Sequence, residues 1–358
     1  MKYTTLQNNA LKYIDLFCGI GGFRVAMEKA CSSFDIEAEC LLSSDIDAEC
    51  QKAYAANFGE APKGDITKLE AREIPDHDIL LAGFPCQPFS IIGHMKGFED
   101  TRGTLFFEIA KILQKKKPTA FVLENVKLLV GHNGGKTIAQ IMETLKKLGY
   151  HADYRVFNAI NFGLPQKRER VFIVGFKDHC NFNWPEGKIP MIPLSKILEK
   201  KVPPKHYASD YIKKKRLSQL EPTKEPTIWH ENKAGHVSAY PYSCALRAAA
   251  SYNYLLVNGE RRLTPREMLR LQGFPDSYKI VCNDSQIRKQ AGNSLPVPVA
   301  QAVIKNVIEA CGVNLYAAQK ATRYSAIDGQ LQCFEESERY NERTKNKNRR
   351  KIQTSVSA

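Results

Sequence analysis

Apolar and polar positions follow two periodic patterns through the first half of the chain. Short apolar runs of strand length are separated by segments in which apolar residues recur every three or four positions, as on one face of a helix. The runs predict strands at residues 13–17, 39–43, 79–83, 120–126, 154–158 and 170–175. Helices are predicted to begin near Phe23, Asp47, Thr104 and Lys136, the last ending at Gly149. Strands that alternate with helices predict an α/β fold, in which helices cover both faces of a mostly parallel sheet.

The alternation of predicted strands and helices ends after Phe176. The following residues include prolines, aromatic residues and lysines without a helical period, over a length that is too great for one loop. A helical pattern resumes after Thr264 and Pro265 and again over residues 297–310. The expected division is a first domain over 1–176, a smaller irregular domain over 177–259, a return to the first domain over 260–321, and a basic, disordered tail over 322–358.

Composition narrows the class of protein and of partner. No stretch reaches the roughly 18 uninterrupted apolar residues of a membrane helix, and polar residues from Asn8 to Asp15 interrupt the place where a signal peptide would have its apolar core. We therefore expect a soluble, cytoplasmic protein without membrane contact. The ten cysteines are scattered and form no C-x-x-C pair, which predicts reduced thiols and no metal site. The net charge of +14 favours a polyanionic partner, although basic charge alone fits several classes of protein.

A glycine-rich segment joins the first predicted strand to the first helix. D-L-F-C-G-I-G-G-F, from Asp15 to Phe23, places glycines where backbone can approach a ligand closely. It is not the dinucleotide pattern G-x-G-x-x-G, because Arg24 stands where the third glycine is required. Asp45 and Asp65 follow at the next strand end and crossover, and such acids predict an adenosine pocket. The alternatives are a tight turn without ligand for the glycines and a helix cap or turn for each aspartate.

Cys86 lies in G-F-P-C-Q-P-F-S, directly after the predicted strand that ends at Gly83. Doubly wound folds bind ligands at this end of a parallel strand. An arbitrary cysteine is more often a small buried apolar residue. Here the polar, glycine-containing residues 90–102 follow, as in a loop that closes over a substrate, and this favours a nucleophile.

Three charged residues lie at the ends of two further strands. Glu124 closes an apolar strand in F-V-L-E-N-V, where partial burial would raise its pKa and suit it to donate a proton. Arg168 and Arg170 are two residues apart at the entry to a strand, so their side chains are expected to share a face and to orient a carboxylate or hold a phosphate. The alternatives are a structural ion pair for Glu124 and a solvated strand end for the arginines.

Six segments of the chain occur in a characteristic order. They are D-L-F-C-G-I-G-G-F, G-F-P-C-Q-P-F-S, L-E-N-V, Q-K-R-E-R-V-F-I-V-G, R-L-T-P-R-E-M-L-R-L-Q-G-F-P-D and Q-A-G-N-S-L-P-V-P-V-A. This series resembles the motifs of DNA cytosine-5 methyltransferases over about residues 13–312, and in particular the compact enzymes of bacterial restriction–modification systems. The resemblance implies a Rossmann-like, S-adenosylmethionine-dependent methyltransferase fold, with a target-recognition domain over 177–259.

The resemblance also implies the reaction. The Cys86 thiolate would add to C6 of a cytosine flipped out of a duplex, while Glu124 hydrogen-bonds or protonates N3. The activated C5 would then take the methyl group of S-adenosylmethionine, with S-adenosylhomocysteine as the product. Arg170 would hold the cytosine carbonyl, and Arg168 would lie close to the backbone phosphates. The loop residues implied to contact DNA are Gln87, Ser90 and Arg102.

For the cofactor, the resemblance implies one pocket. Phe17, Pro85 and Leu105 would lie against the adenine, Asp45 would accept from the ribose hydroxyls, and Asp65 would accept from the adenine amino group. The remaining residues implied for this pocket are Asp15, Gly19, Ile20, Gly21, Gly22, Ile66 and Asn293. Ile46 stands where some relatives have tryptophan, so aliphatic packing is expected to replace stacking on the adenine.

The second domain is implied to read bases in the major groove. The stretch C-A-L-R-A-A-A-S-Y-N-Y has Ala245 and Leu246 where relatives often have a Thr-Leu pair. The candidate contacts with base edges or phosphates are Arg247, Ser251, Tyr252 and Asn253, and core packing is the alternative for a tyrosine-rich stretch.

Two other classes of protein share parts of this pattern. The tRNA cytosine-5 methyltransferases have the same architecture with a reduced insert, and a silent DNA-binding repressor would keep the scaffold without the chemistry. The well-developed region over 177–259 disfavours the first class, and the intact Cys86, Glu124 and Arg170 disfavour the second. The expected partner is double-stranded DNA, with a monomeric enzyme and a separately encoded cognate restriction endonuclease.

Overall fold

The computed structural model describes residues 10–85 and 105–312. The chain divides into two compact units, Met1–Cys311 and Gly312–Ala358, and the elements below belong to the first. The expected tail over 322–358 lies outside the described residues.

A six-stranded sheet forms the centre of this unit. The strands in the first half of the chain are β1 (Ala10–Leu16), β2 (Glu37–Ser44), β3 (Ile79–Gly83), β4 (Ala120–Val126), β5 (His151–Asn158), β6 (Gln166–Lys167) and β7 (Glu169–Phe176). All but β6 belong to this sheet, in the order β2-β1-β3-β4-β7-β5. β1 to β4 are parallel, and β7 runs antiparallel to both β4 and β5. The mostly parallel sheet is confirmed, and β7 is reversed because a short connection from β5 lacks the crossover helix that a parallel pair requires.

Helices connect the parallel strands. They are α1 (Gly22–Ser32), α2 (Ala48–Phe58), α3 (Leu105–Lys116), the single turn α4 (Leu128–Gly131) and α5 (Lys136–Lys147). Asp47 begins α2, where its carboxylate accepts hydrogen bonds from the backbone amides of Glu49 and Cys50. An aspartate at this position satisfies amides that have no partner within the helix, which explains why α2 starts there.

Residues 177–259 form shorter elements. They are α6 (Asp210–Leu217), β8 (Ile228–Glu231), β9 (Val237–Tyr240), β10 (Ser243–Cys244) and β11 (Leu255–Val257). β8 pairs antiparallel with both β9 and β11, and Trp229 in β8 is fully buried. β10 instead pairs in parallel with β6. The end of this region is therefore hydrogen-bonded to the connection between β5 and β7.

The chain then forms α7 (Pro265–Gln272), α8 (Asp284–Asn293) and α9 (Val297–Ala310). Thr264 caps α7 reciprocally with Glu267, each side chain accepting from the other residue's backbone amide. α9 packs against α1, so this helix contacts the first half of the chain. α7 and α9 are confirmed, whereas α8 was not predicted, because Ile287 and Ala291 are its only buried residues with apolar side chains.

Within residues 10–85 and 105–312, two apolar cores support these elements. One is built on the sheet and includes Ile14, Leu80 and Phe121. The other joins Leu246 and Leu255 to Met268, Leu271 and Ala291 of α7 and α8. The region over 177–259 is therefore packed on the returning helices. Among the described residues, no helix is both long enough and apolar enough to cross a membrane.

Candidate active site

A cavity of about 690 Å³ lies at the carboxyl ends of the parallel strands. Its wall combines the glycine-rich segment, the residues after β2 and β3, the last residues of β4, and the end of α8. The predicted site residues in this wall are Phe17, Gly19, Ile20, Gly22, Asp45, Ile46, Asp65, Ile66, Pro85, Leu105, Glu124, Arg170 and Asn293. Parallel strands end at the same edge of a sheet, which is why residues so far apart in sequence meet here. Predicted cofactor residues and two predicted catalytic residues thus share one space.

The glycine-rich segment turns sharply before α1. Phe17, Gly19 and Gly21 have φ angles of 54°, 53° and 79°, in the left-handed region. At Gly19 an added Cβ would meet no protein atom within 4 Å, so the missing side chain leaves open space beside the loop. At Gly21 the same atom would lie 2.3 Å from the ring of Phe58. Gly21 is therefore required by packing, and it is not among the described residues that line the cavity.

Asp45 organises this loop from the end of β2. Its carboxylate accepts hydrogen bonds from the backbone amides of Gly19 at 2.8 Å and Asp47 at 2.8 Å. Burial raises the pKa of Asp45, and these two amides act in the opposite direction. A carboxylate offers about four lone-pair sites. Asp45 therefore retains acceptor capacity toward a ligand in the cavity.

Asp65 and Ile46 also belong to the cavity wall. The Asp65 carboxylate accepts from the backbone amide of Thr67 at 3.0 Å and from its hydroxyl at 2.8 Å, and these hydrogen bonds lower the pKa of Asp65. Asp65 thus caps a turn, which was the alternative to ligand binding. Because it also lines the cavity, it can accept from a ligand as well. Ile46 is 75% exposed, so it offers apolar surface to a ligand.

Glu124 and Arg170 form an ion pair in the same wall. Arg170 Nε lies 2.9 Å from Glu124 Oε1, and both side chains are almost buried. Antiparallel pairing of β4 with β7 places Arg170 opposite Val126, two residues after Glu124. Burial raises the pKa of Glu124, while the charges of Arg170 and Arg168 act in the opposite direction. A carboxyl group with a raised pKa is suited to proton donation.

Cys86, Gln87, Ser90 and Arg102 lie outside the described residues. The strand that leads to them is held beside Glu124, because Gly83 pairs in register with Glu124. The Asn125 amide donates to the Phe84 carbonyl at 2.9 Å, which also fixes this end of the chain. Pro85, the residue before Cys86, lines the cavity.

Asp15 is fully buried and is not among the described residues of the cavity wall. It lies within β1, one residue before the strand ends. Burial raises the pKa of Asp15 well above its usual range, and the charge and the backbone amide of Arg24 act in the opposite direction. This buried position differs from the expected contact of Asp15 with a cofactor.

Arg168 also differs from its expected position near phosphates. Its side chain is fully buried, and the guanidinium donates to the carbonyls of Leu246 at 2.9 Å, Gly292 at 2.8 Å and Ser294 at 2.6 Å. A phosphate contact requires an accessible guanidinium, so the expected phosphate contact is corrected to a role in the protein interior. Arg168 lies between β6 and β7 and belongs to neither strand. The alternation of side chains along a strand therefore does not place it on the same face as Arg170.

The candidate DNA-contacting residues of the second region are Arg247, Ser251, Tyr252 and Asn253. Arg247 and Ser251 are exposed, and Tyr252 is 47% exposed. The Asn253 side-chain oxygen accepts from Arg262 at 3.2 Å. The guanidinium carbons of Arg262 and Arg288 lie 4.6 and 4.9 Å from the Tyr252 ring centre. These arginines and Tyr252 form a basic, aromatic surface.

Several residues of these surfaces were not predicted. Lys289 of α8 lines the cavity and pairs with Asp47 at 2.6 Å, and Gln290 and Cys18 also line it. The unpredicted α8 contains Arg288, Lys289 and Gln290. Their position just before the G-N-S motif is the feature of the sequence that could have indicated a place near the site. Within the described part of the chain, no group of three His, Cys, Asp or Glu residues is arranged to hold a metal ion.

The C-5 cytosine-specific DNA methylase family matches residues 11–309, which include the cavity wall and the surface around Tyr252. The chain belongs to this family. It is a DNA (cytosine-5-)-methyltransferase, as the order of its motifs implied, and S-adenosylmethionine is the methyl donor that the family and the fold imply.

Two bacterial relatives are similar to the enzyme along most of its length. Type II methyltransferase M.NgoBI of Neisseria gonorrhoeae is 56% identical over 300 residues, 82% of this chain and 92% of that protein. Type II methyltransferase M.HaeII of Haemophilus aegyptius is 51% identical over 323 residues, 88% of this chain and 99% of that protein. These likenesses confirm the expected restriction–modification type.

The fold of the enzyme is also that of a solved methyltransferase. The crystal structure of S. pombe Dnmt2 methyltransferase superimposes with a TM-score of 0.64 at 22% identity, over 84% of this chain and 98% of that one. The Rossmann-like methyltransferase fold is thereby confirmed.

Proposed function

We propose that the enzyme methylates C5 of a cytosine flipped out of a specific duplex sequence, through a covalent bond between Cys86 and C6. One observation supports this most directly: the Glu124–Arg170 pair lines the same cavity as Asp45, Asp65 and the glycine-rich loop. Groups suited to a cytosine and groups suited to an adenosine therefore share one space, as a transfer between two ligands requires. In this proposal the enzyme is the protective half of a restriction–modification system whose endonuclease is encoded separately.

The residues of the enzyme activate the cytosine. C5 is a poor nucleophile until a thiolate adds to C6, and Cys86 supplies that thiolate. Glu124 donates a hydrogen bond or a proton to N3, for which its raised pKa is suited, and Arg170 holds the cytosine carbonyl. When bound, S-adenosylmethionine supplies the methyl group to C5 and leaves as S-adenosylhomocysteine. Loss of the C5 proton to a base, such as a water molecule, then expels the Cys86 thiolate and restores the aromatic ring, and a proton given to N3 returns to Glu124.

The cavity fits the methyl donor in size and in chemistry. Its volume of about 690 Å³ lies within the roughly 300–1,000 Å³ typical of small-molecule sites. Asp45 and Asp65 provide acceptors for the ribose hydroxyls and the adenine amino group. The open backbone at Gly19 leaves room for the methionine portion. The apolar surface for the adenine comes from Phe17, Ile46, Ile66, Pro85 and Leu105, with Ile20, Gly22 and Asn293 completing the wall.

DNA contacts are assigned to three parts of the chain. Gln87, Ser90 and Arg102 approach the flipped base, and residues 247–253 read the duplex. The target base must leave the stack at a cost of a few kcal/mol, which contacts with the duplex offset. In this assignment residues 177–259 are the target-recognition domain, residues 1–176 and 260–321 are the catalytic domain, and the basic tail over 322–358 adds nonspecific attraction to phosphates. The enzyme acts as a monomer.

Methyl transfer to DNA tests this function. Labelled methyl groups should pass from S-adenosylmethionine to duplex DNA, and Cys86→Ala should reduce the transfer to background. Cys180→Ala is a matched control, because Cys180 is a partly exposed free cysteine outside the described cavity wall, and it should keep full activity. Bisulfite sequencing of the product locates the methylated cytosine. A fully active Cys86→Ala variant contradicts the mechanism, and transfer to RNA without transfer to DNA contradicts the proposed substrate.

A further inference from the structure

The connection between β5 and β7 is bonded to the segment that leads into the candidate DNA-contacting residues. Besides the parallel pairing of β10 with β6, the Ser243 amide donates to the Pro165 carbonyl at 2.8 Å. The Gln166 side-chain oxygen accepts from the Leu246 amide at 3.1 Å, and its nitrogen donates to the Leu271 carbonyl at 2.7 Å. Backbone and side-chain hydrogen bonds thus fix the chain up to Leu246, one residue before Arg247.

Arg168 extends this attachment to α8. Its guanidinium donates to the Leu246 carbonyl and also to the carbonyls of Gly292 and Ser294. Asn293, between these last two residues, lines the cavity. A fully buried cation requires hydrogen bonds that replace water, and these three carbonyls accept them from the two terminal nitrogens of the guanidinium. One side chain therefore joins the start of the DNA-contacting segment to a turn of the cavity wall.

Gly292 brings the two backbones into direct contact. A Cβ added to Gly292 would lie 2.4 Å from the Ala248 nitrogen and 2.8 Å from the Arg247 carbonyl carbon. Both neighbours are backbone atoms, so no side-chain rotation relieves the overlap. Residues 247–248 therefore run directly over the last turn of α8.

We propose that Arg168 is a positioning residue for sequence discrimination. It holds residues 246–248 against α8 and so determines where Arg247 and the residues after it meet the DNA. Specificity is a difference between affinities, and contacts on a loosened segment adapt to a wrong base pair more readily than contacts on a fixed one. Arginine suits this role because its planar group reaches three carbonyls at once, whereas the lysine ammonium is a compact point charge. The proposal rests on the proposed function, since it concerns reading of the same duplex.

The test is the ratio of kcat/KM for the target duplex to kcat/KM for a duplex with one changed base pair. Arg168→Lys should lower this ratio by roughly fivefold or more, the lower end of what one base contact supplies. Gly292→Ala should lower the ratio as well, because it displaces the same backbone. The matched control is Arg261→Lys, another buried arginine, whose guanidinium pairs with Glu267 at 2.9 and 2.8 Å. It should lower thermal stability and leave the ratio unchanged.

Each outcome distinguishes the proposal from its rivals. A purely structural Arg168 would lower kcat/KM by the same factor for both duplexes, and a contact with the cytosine itself would lower kcat equally for both. An unchanged ratio in Arg168→Lys overturns the proposal in either case. If that variant does not fold, an unchanged ratio in Gly292→Ala overturns it. A wild-type enzyme that methylates no duplex contradicts the proposed function, whereas a discriminating wild type with an unchanged ratio in the variants contradicts this inference alone.

Discussion

The cavity and the proposed DNA-contacting segment, residues 247–253, are positioned by different kinds of structure. Gly83 and Glu124 lie on neighbouring strands whose backbones are hydrogen-bonded in register, and Asp45 directly follows β2 of the same sheet. The segment from Arg247 to Asn253 consists instead of turns and irregular chain. Individual polar groups hold it, among them Arg168 at its start and the Tyr254 hydroxyl, which accepts from the Arg247 amide at 3.0 Å.

In the proposed function, this difference separates the groups that carry out the reaction from the groups that recognise the DNA sequence. Paired strands of the sheet position Glu124 and Arg170, the two described groups that are proposed to activate the cytosine. A segment held by a few polar side chains can change its exposed residues without altering the sheet. One fold can therefore keep one reaction while the sequence it recognises changes.

The largest expected effect concerns the cavity, whose Glu124 is positioned by the sheet. Glu124→Gln should lower kcat by roughly 10²–10⁴-fold, because an amide of the same size cannot give a proton to N3. Single-turnover transfer of labelled methyl groups measures it. The affinity for S-adenosylhomocysteine and the discrimination between duplexes should not change, since in the proposed mechanism Glu124 acts on the target cytosine alone.

The control for this variant is Glu169→Gln. Glu169 is a partly exposed carboxylate on β7 that pairs with Lys127 at 2.9 Å, so its loss should leave kcat unchanged. A Glu124→Gln variant with the wild-type rate is incompatible with a role in activating the cytosine.

A smaller effect is expected at the cofactor end of the cavity. Asp45→Asn should weaken S-adenosylhomocysteine binding by roughly 10- to 100-fold, because hydrogen bonds to a charged acceptor are stronger than those to a neutral amide. Isothermal titration calorimetry measures the change, and binding of DNA without cofactor should be unaffected. Asp76→Asn, at an exposed carboxylate that pairs with Lys116, is the control. Equal cofactor affinity in wild type and Asp45→Asn rules out the assigned ribose contact.

The smallest effect is expected in the DNA-contacting segment. Arg247→Ala should weaken duplex binding several-fold and leave kcat at saturating DNA unchanged, because Arg247 is exposed and lies outside the described cavity wall. If Arg247 meets a phosphate, the slope of log affinity against log salt should fall by about 1. If it meets a base edge, the slope should stay and the discrimination ratio should fall.

Binding by fluorescence anisotropy over a salt series distinguishes these two contacts. Arg72→Ala, at an exposed arginine that pairs with Glu70 at 2.7 Å, is the control. An Arg247→Ala variant that changes neither affinity nor discrimination removes this residue from the DNA interface.

The strands of the central sheet were predicted well from the sequence. β3 and β4 were predicted residue for residue, because both are buried almost throughout and read as continuous apolar runs. β5 was predicted three residues short, since exposed positions alternate along its first half. Once the strand ends were known, the shared position of Asp45, Pro85 and Glu124 followed from the topology of a parallel sheet.

The region over 177–259, which includes the proposed DNA-contacting segment, was less predictable for a physical reason. β8 to β11 are two to four residues long, too short for a period to show. Nothing local indicates whether the Arg168 guanidinium faces solvent or the carbonyls of Leu246 and Gly292, which are 78 and 124 residues away. Such contacts depend on the tertiary fold, so the expected phosphate contact of Arg168 was wrong although the motif itself was correctly identified.

The central claim, that Cys86 forms the bond to the target cytosine, has a direct measurement. A duplex with 5-fluorocytosine at the target position should form a covalent complex with the enzyme in the presence of S-adenosylmethionine, because fluorine at C5 blocks the final elimination. Mass spectrometry of the digested complex should locate the DNA on the peptide that contains Cys86, and Cys86→Ala should form no complex. The account is contradicted if an enzyme that methylates the normal duplex forms no adduct, or if the adduct lies on another residue.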